Sequence, residues 1–331
     1  MESIISNQIL LKEKLGFFGI LKEAAKIPFK NLNFIIFTCL TLLPLLYSLS
    51  IYESMFTQTI IEAAKVLREE AEAQAKMESD CILCSHLSWV EWTHVTNLDY
   101  LIGKISQKLV ILVLSHIGIL HLCDLFSTIA TVNSSSLLYA GHKADSSLKE
   151  MFTKHVMDAR LKGPLITSIY AMLFASVSLL GLCSLLLYVY VMGTTSPLFM
   201  IIFLIMFVAM LGKYLEWLAV WDMGVVISIL EEKEGDVAIV ISSYLSRDNR
   251  RTGIFLMAGF VLWRVILRVM YVFLALNGGG SKIWVLVVHV VLFGFTNVFK
   301  WVCFVVYYVD CKKIRSKKEV SLVRGDGVLS V

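Results

Sequence analysis

The sequence predicts an all-α membrane protein with six transmembrane helices, arranged as three hairpins that are each preceded by a cytoplasmic amphipathic helix. Of its 331 residues, 57% are hydrophobic and only 17% are charged, whereas soluble domains are about half apolar and a quarter charged. A helix needs about 20 apolar residues to cross a bilayer core of about 30 Å. Six runs meet that length: Leu32–Met55, Leu109–Val132, Pro164–Met192, Leu198–Val220, Ile254–Leu276 and Ile283–Val309.

The distribution of lysine and arginine predicts the orientation of these helices. With the N-terminus inside, most of the 30 Lys and Arg residues fall in segments on the inner side. Because inner loops of membrane proteins are rich in these residues, both termini are expected in the cytoplasm. The apolar stretch Leu15–Ile20 is too short for the core of a cleavable signal peptide. The first membrane helix is therefore expected to direct its own insertion, into the ER, the Golgi or the plasma membrane.

Three regions are predicted along the chain. Residues 1–31 form a cytoplasmic amphipathic segment, residues 32–309 the membrane domain with an outside loop at 56–108, and residues 310–331 a basic cytoplasmic tail. Two short Gly-, Pro- and Asn-containing connections, 193–197 and 277–281, have the composition of tight turns. They predict that the third and fourth helices, and the fifth and sixth, are antiparallel neighbours.

Amphipathic segments precede the first, third and fifth membrane helices. Each places its apolar residues at helical spacing and is followed by basic residues, which suits a helix with its apolar face in lipid. The apolar sets are Phe17, Ile20, Leu21, Ala24 and Ile27; Leu148, Met151, Phe152, Val156 and Ala159; and Val237, Val240, Ile241, Tyr244 and Leu245. The pattern is that of three parallel repeats, although basic inner loops also follow from topology alone. In the outside loop, Thr59–Met77 is rich in Ala and Glu and is predicted to be helical.

Ionisable residues within the apolar runs are candidates for an intramembrane polar network, because a charge in lipid is costly unless it is partnered. Lys213 and Glu216 are three residues apart, so they share a helix face and can pair with each other. A pair between Glu216 and Arg264 or Arg268 on another helix would also satisfy both charges in the membrane. The alternative is a polar cavity for an anion or a lipid headgroup. The candidate residues are Asp124, Lys213, Glu216, Arg264, Arg268 and Lys300.

Two further clusters lie outside the apolar runs. Cys81 and Cys84 in the outside loop favour a local disulfide in an oxidising compartment, with unpaired thiols or a metal or redox role as alternatives. At the inner end of the sixth helix, a basic cluster is expected to contact anionic lipid headgroups, although it would also serve to set the topology. It consists of Lys312, Lys313, Arg315, Lys317 and Lys318.

Three stretches carry a resemblance to a known family. They are FGILKEAAKIPFKNLNFIIFTCLTLLP, LFSTIATVNSSSLLYAGHKADSSLKEMF and WLAVWDMGVVISILEEKEGDVAIVISSYLSRDNRRTGIFL. Over about Phe17 to Tyr308 the chain resembles a plant family of uncharacterised multi-pass transmembrane proteins. It is also distantly similar to the membrane domain of bacterial glycerophosphodiester phosphodiesterases. The resemblance implies a six-helix membrane protein of undefined biochemical role. The phosphodiesterase's catalytic barrel is not expected here, because the sequence has no soluble segment of that size.

The function predicted from the sequence is non-enzymatic. No phosphate-binding loop, nucleophile elbow or metalloprotease motif is present in the sequence. We expect a structural, scaffolding, lipid-binding or partner-binding membrane protein, with a protein partner or a second copy of the chain possible. Neither a cofactor, a metal nor a nucleic acid is expected. The alternative is a transporter or channel that uses the embedded charges.

Overall fold

The computed structural model describes residues 15–80, 103, 106–108, 110–140, 161–193, 197–276 and 282–326. Every regular element within these residues is helical. The π-helix His116–Leu120 continues directly into α3, and the 3-10 turn Arg247–Asn249 joins α6 to α7. The α-helices are α1 (Phe17–Lys30), α2 (Leu32–Asp80), α3 (His121–Tyr139), α4 (Lys162–Gly193), α5 (Pro197–Leu230), α6 (Gly235–Ser246), α7 (Arg250–Leu276) and α8 (Lys282–Asp326).

Six stretches of helix are long and apolar enough to cross a membrane, and each overlaps one of the six runs predicted from the sequence. The protein is therefore an all-α polytopic membrane protein. The stretches are Leu32–Lys65, Ser106–Tyr139, Lys162–Tyr190, Leu198–Leu230, Gly235–Ala275 and Ile283–Glu319.

The chain divides into two compact units. Unit 1 comprises the described residues within Met1–Leu42, Leu125–Val265 and Phe295–Val331, and unit 2 those within Leu43–Asp124 and Ile266–Gly294. Unit 1 thus contains the whole of α1, α4, α5 and α6. The helices α2, α3, α7 and α8 each contribute one part to each unit.

The predicted α4–α5 hairpin is confirmed in unit 1. The Thr167 hydroxyl donates to Ser228 Oγ at 3.1 Å, and the rings of Tyr188 and Phe203 stack at 5.7 Å. As residue numbers rise along α4, those of their partners on α5 fall, so the two helices are antiparallel.

The other two hairpins, α2–α3 and α7–α8, show the same antiparallel order of contacts, and each contact lies within a single unit. In unit 2, Glu62 of α2 contacts Lys108, while Ser48 contacts Cys123 of α3. Trp263 of α7 contacts Thr296 of α8 in unit 1. Tyr271 stacks on His289 in unit 2. All three predicted hairpins are thus antiparallel pairs.

The helix α1 forms where the first amphipathic segment is predicted, but its apolar face meets protein rather than lipid. Ile20 and Ala24 are completely buried and Ile27 is 6% exposed. Phe18 and Phe29 are exposed instead. The expectation that this apolar face enters the bilayer is therefore wrong: the face packs into unit 1, since burial against protein and burial in lipid require the same spacing of apolar residues.

The third amphipathic segment is α6, and it packs differently. Its buried face consists of small residues, Ala238, Ser242 and Ser246, whereas Val237 and Val240 are exposed. Close approach to α5 explains this pattern: Ser242 Oγ donates to the carbonyl oxygen of Val220 at 2.6 Å. The second amphipathic segment, residues 148–159, lies outside the described residues.

The predicted helix at Thr59–Met77 is confirmed, because α2 runs without interruption from Leu32 to Asp80. Cys81 and Cys84, which follow its last residue, lie outside the described residues. The core of unit 1 is most completely buried in α8, where Val302–Tyr307 has no exposed surface, and at Met223, Val226 and Ile227 of α5.

Candidate intramembrane and interfacial polar sites

Lys300 and Asp222 form an ion pair between α8 and α5 in unit 1. Lys300 Nζ lies 3.0 Å from Asp222 Oδ2, and the two side chains are 7% and 17% exposed. The ammonium group also lies 4.0 Å from the centroid of the Trp301 ring, within the range of a cation–π interaction. Each charge therefore has a partner inside the protein.

Glu216 of α5 contacts Lys213 and Arg250. Its Oε2 is 3.0 Å from Lys213 Nζ, and its Oε1 is 2.9 Å from Arg250 Nε. The predicted pairing of Glu216 with Lys213 is confirmed, whereas the predicted pairing with Arg264 or Arg268 is wrong. The reason is local: α6 runs back along α5, and the 3-10 turn after it brings Arg250 beside Glu216.

Arg264 contacts α8 through a neutral partner. Its Nη2 donates to Asn297 Oδ1 at 2.7 Å, and the neighbouring Trp263 Nε1 donates to Thr296 Oγ1 at 3.0 Å. These two hydrogen bonds join α7 to α8 at the same level within unit 1.

Arg268 belongs to a polar cluster in unit 2 whose centre is Glu53. Arg268 Nη1 forms a hydrogen bond with Glu53 Oε1, and its guanidinium carbon lies 4.2 Å from the centroid of the Phe56 ring. His289 Nε2 lies 3.8 Å from the same oxygen. The side chains of Glu53 and His289 are 2% and 4% exposed.

A second layer of contacts holds the His289 ring. The ring stacks on Tyr271 with centroids 4.4 Å apart, and Thr57 Oγ1 donates to the Tyr271 hydroxyl at 3.0 Å. Glu53 Oε2 and His289 Nε2 have no hydrogen-bond partner among the described residues. The cluster thus pairs one carboxylate with one guanidinium and retains two buried polar atoms that can take another partner.

The six residues predicted as one network are divided between the two units. Asp124 and Arg268 belong to unit 2, and the other four belong to unit 1. Asp124 is half-buried in the first turn of α3.

Glu53 was not predicted from the sequence, although it lies inside the first apolar run, where its charge was a usable signal. Within the described residues, no group of His, Cys, Asp and Glu could hold a metal ion.

The basic cluster predicted to contact lipid is largely engaged with acidic residues of unit 1. Lys312 Nζ is 2.7 Å from Glu231 Oε1. Arg315 and Lys318 both contact Asp248, at 3.3 and 2.9 Å. Lys313 lies 5.7 Å from the ring of Tyr139, and Lys317 is exposed. The cluster therefore joins α8 to the region around α6.

Glu231, at the end of α5, is held in its ionised form. Burial opposes ionisation, but hydrogen bonds from Lys312 and Tyr308, together with the charge of Lys312, outweigh it and lower the pKa of Glu231. Tyr308 donates to the same Oε1 atom that Lys312 contacts. One carboxylate thereby fastens two successive turns of α8.

A groove of about 720 Å³ lies beside α6 and the start of α7 in unit 1. It combines an apolar residue, a hydroxyl, an aromatic ring and two cations. Its lining residues are Val240, Ser243, Tyr244, Arg247 and Arg250. This combination is suited to an amphipathic anion.

Comparison with known proteins identifies the family but no characterised relative. No curated protein matches the chain, and no solved structure does. A family model described as a domain of unknown function, DUF8558, matches residues 11–319, which include all six membrane helices. The chain therefore belongs to the DUF8558 family.

Proposed function

We propose that the protein is a non-enzymatic, structural membrane protein in which ion pairs and hydrogen bonds between helices hold a six-helix scaffold together. The observation that carries this proposal is the Lys300–Asp222 pair, since Lys300 is buried, Asp222 is only 17% exposed, and the atoms are 3.0 Å apart. A charge placed in the bilayer costs about 3 kcal/mol or more. A protein keeps such charges where they pair, and Lys300 pairs with a neighbouring helix.

The other embedded cations support the same role. Arg264 is held by Asn297 of α8, and Glu216 joins α5 to the start of α7 through Arg250. The first contact joins the two helices of one hairpin, and the second connects successive hairpins within unit 1. A scaffold of this kind provides a fixed lipid-exposed surface for membrane lipids, a protein partner or a second copy of the chain.

The orientation belongs to this proposal as well. We infer that both termini face the cytoplasm, because most lysines and arginines fall on that side in this arrangement. Epitope tags at the two termini should both be accessible to antibody after selective permeabilisation of the plasma membrane. Access only after internal membranes are opened would contradict the orientation.

A double-mutant cycle on Asp222 and Lys300 tests the structural role. Asp222→Asn and Lys300→Met should each destabilise the purified protein by about 3 kcal/mol, because each leaves one buried charge without its partner. The double variant should lose clearly less than the sum of the two. The free energy of unfolding in detergent is the measurement. Single variants as stable as the parent protein would contradict the proposal.

A matched control is available on the surface. Arg68 and Glu72 form an i,i+4 pair at 2.9 Å with side chains 82% and 60% exposed. Arg68→Gln should change the free energy of unfolding by only about 0.5 kcal/mol, since exposed pairs contribute little.

Transport is a second candidate function, and the Glu53 cluster is the observation that favours it. Glu53 and His289 are buried, and each retains a polar atom with no hydrogen-bond partner among the described residues. Buried ionisable pairs of this kind are used in membrane proteins to carry protons. Purified protein in liposomes containing a pH-sensitive dye should then conduct protons down an imposed gradient. Glu53→Gln should abolish that flux, whereas flux equal to that of empty liposomes would exclude this candidate.

A further inference from the structure

The groove beside α6 has one charged side and one apolar side. Arg247 and Arg250 supply positive charge, and Ser243 supplies a hydroxyl that can donate a hydrogen bond. Val240 forms the apolar side and is 66% exposed. A phospholipid carries the complementary pair, a phosphate group joined to acyl chains.

The two arginines have different surroundings. Arg250 is oriented by Glu216, whose Oε1 lies 2.9 Å from Arg250 Nε. Because a guanidinium has five N–H donors, one carboxylate does not exhaust it. Arg247 is exposed and forms no ion pair with any residue that the structure describes. The groove therefore retains positive charge after the internal pairing is complete.

Neighbouring contacts make the groove a fixed site. Tyr244 forms part of its wall, and the guanidinium of Arg315 covers the Tyr244 ring at 3.7 Å from the centroid. Arg315 in turn contacts Asp248 at 3.3 Å. The opposite face of α6 is anchored to α5 through Ser242.

The position of α6 favours a lipid over a soluble anion. It begins a helical segment that is long and apolar enough to cross a membrane, and its exposed residues Val237 and Val240 are apolar. A helix with exposed valines beside basic residues suits the boundary between headgroups and acyl chains. Acyl chains can lie along those valines while the phosphate meets the arginines.

We propose that this groove binds the phosphate of an anionic phospholipid through Arg247 and Arg250, with the acyl chains along Val237 and Val240. Phosphate oxygens match the guanidinium fork, which can donate two parallel hydrogen bonds. Ser243 donates a further hydrogen bond. This site is distinct from the basic cluster on α8, in which Lys312, Arg315 and Lys318 already contact Glu231 or Asp248. The proposal does not depend on the scaffold function.

The experiment is a lipid titration of delipidated protein in detergent, followed by native mass spectrometry. The probes are phosphatidic acid and phosphatidylcholine with identical acyl chains. The parent protein should bind phosphatidic acid more tightly. Arg247→Gln should weaken that binding about fivefold, the effect of one basic residue near a membrane surface. Equal binding of the two lipids would overturn the proposal.

Arg251→Gln is the matched control, because Arg251 is exposed nearby but does not line the groove. It should weaken phosphatidic acid binding less than twofold. An equal loss in Arg247→Gln and Arg251→Gln would indicate diffuse electrostatic attraction and would overturn the site. Arg247→Lys should recover part of the affinity, and the unfolding temperature of Arg247→Gln should match that of the parent.

Inorganic phosphate distinguishes the two sources of the anion. At millimolar concentration it should leave phosphatidic acid binding unchanged, since it lacks the acyl chains. Displacement of the lipid by phosphate alone would show a site for a free anion and would overturn the lipid assignment. If the parent protein shows no preference for phosphatidic acid but the coupling energy between Asp222 and Lys300 is measured as expected, the lipid site is refuted and the scaffold proposal still holds.

Discussion

Units 1 and 2 both bury ionised side chains, but they partner them differently. In unit 1, Lys300 and Asp222 form a pair with one cation and one carboxylate. In unit 2, the single carboxylate of Glu53 faces Arg268 and His289, and one of its oxygens has no hydrogen-bond partner among the described residues. The pair in unit 1 gives each charge an opposite partner, whereas the cluster in unit 2 keeps a buried carboxylate oxygen that can accept a further donor.

The largest expected effect comes from removing the carboxylate at the centre of unit 2. Glu53→Gln should lower the free energy of unfolding by about 3 kcal/mol, because the carboxylate is 2% exposed and Arg268 loses its charged partner. Glu62→Gln is the control on the same helix, since Glu62 and its partner Lys108 are 44% and 34% exposed. It should cost about 1 kcal/mol or less. Chemical unfolding in detergent measures the free energy of unfolding of both variants. Equal losses would contradict the expectation that the buried carboxylate of Glu53 stabilises the protein more than the exposed one of Glu62.

The next effect tests how tightly the polar contacts of unit 1 are packed. A Cβ at Gly253 would lie 2.7 Å from the Tyr307 hydroxyl, which donates to the Asn249 carbonyl oxygen at 3.2 Å. Since Tyr307 is completely buried, Gly253→Ala should destabilise the protein by about 1–3 kcal/mol. Gly212→Ala, with no atom within 4 Å of its added Cβ, should be neutral or slightly stabilising. Similar unfolding temperatures for the two variants would show that unit 1 is loosely packed.

His289→Phe has a smaller expected effect and separates ring stacking from the contact made by the imidazole nitrogen. His289→Phe keeps a ring against Tyr271 and removes the Nε2 atom that has no hydrogen-bond partner. The free energy of unfolding should change by about 1 kcal/mol or less. His289→Ala should cost about 3 kcal/mol, since it leaves a cavity. If the two substitutions destabilise equally, the imidazole nitrogen itself is needed, and the contact with Glu53 is structural.

The smallest effect is the pH dependence that arises from Glu231. Its pKa is lowered in the folded protein by Lys312 and Tyr308. The ionised carboxylate therefore stabilises the fold fully above the unfolded pKa of about 4.3, and this contribution is lost as the pH falls toward the folded pKa. Thermal unfolding between pH 6 and pH 3 should show a shallower acid decline in Glu231→Gln than in the parent. Identical declines would show that Glu231 contributes nothing to acid sensitivity.

The six membrane helices were predictable because bilayer thickness sets a length that few other elements match. The tight turns predicted two of the hairpins for a similar reason. A connection of only a few residues forces the two helices that it joins to lie side by side and antiparallel. Whether the apolar face of α1 packs against lipid or against protein could not be predicted. Ile20, Ala24 and Ile27 have the spacing of a buried helical face, and lipid and protein both satisfy that spacing.

Partners within the membrane were harder to predict than the embedded charges themselves. Arg264 and Arg268 are four residues apart on α7, yet one contacts Asn297 and the other Glu53. Glu216 contacts Arg250 because a 3-10 turn places that residue beside α5. Such a turn has no hydropathy signature. Glu53 could have been identified from the sequence, since a charged residue inside an apolar run is a candidate for a polar contact wherever it lies in the run.

The contact between the start of α1 and α8 has a consequence for biosynthesis. The backbone N–H of Leu15 donates to Asp310 Oδ1 at 3.2 Å, across a separation of 295 residues. At a translation rate of about 5–20 residues per second, the N-terminal segment is made about 15–60 s before its acceptor leaves the ribosome. During that interval α1 emerges without one of the partners that fix it in unit 1. The hydrogen bond that fixes the start of α1 is thus a late event, formed only after nearly the whole chain has been made.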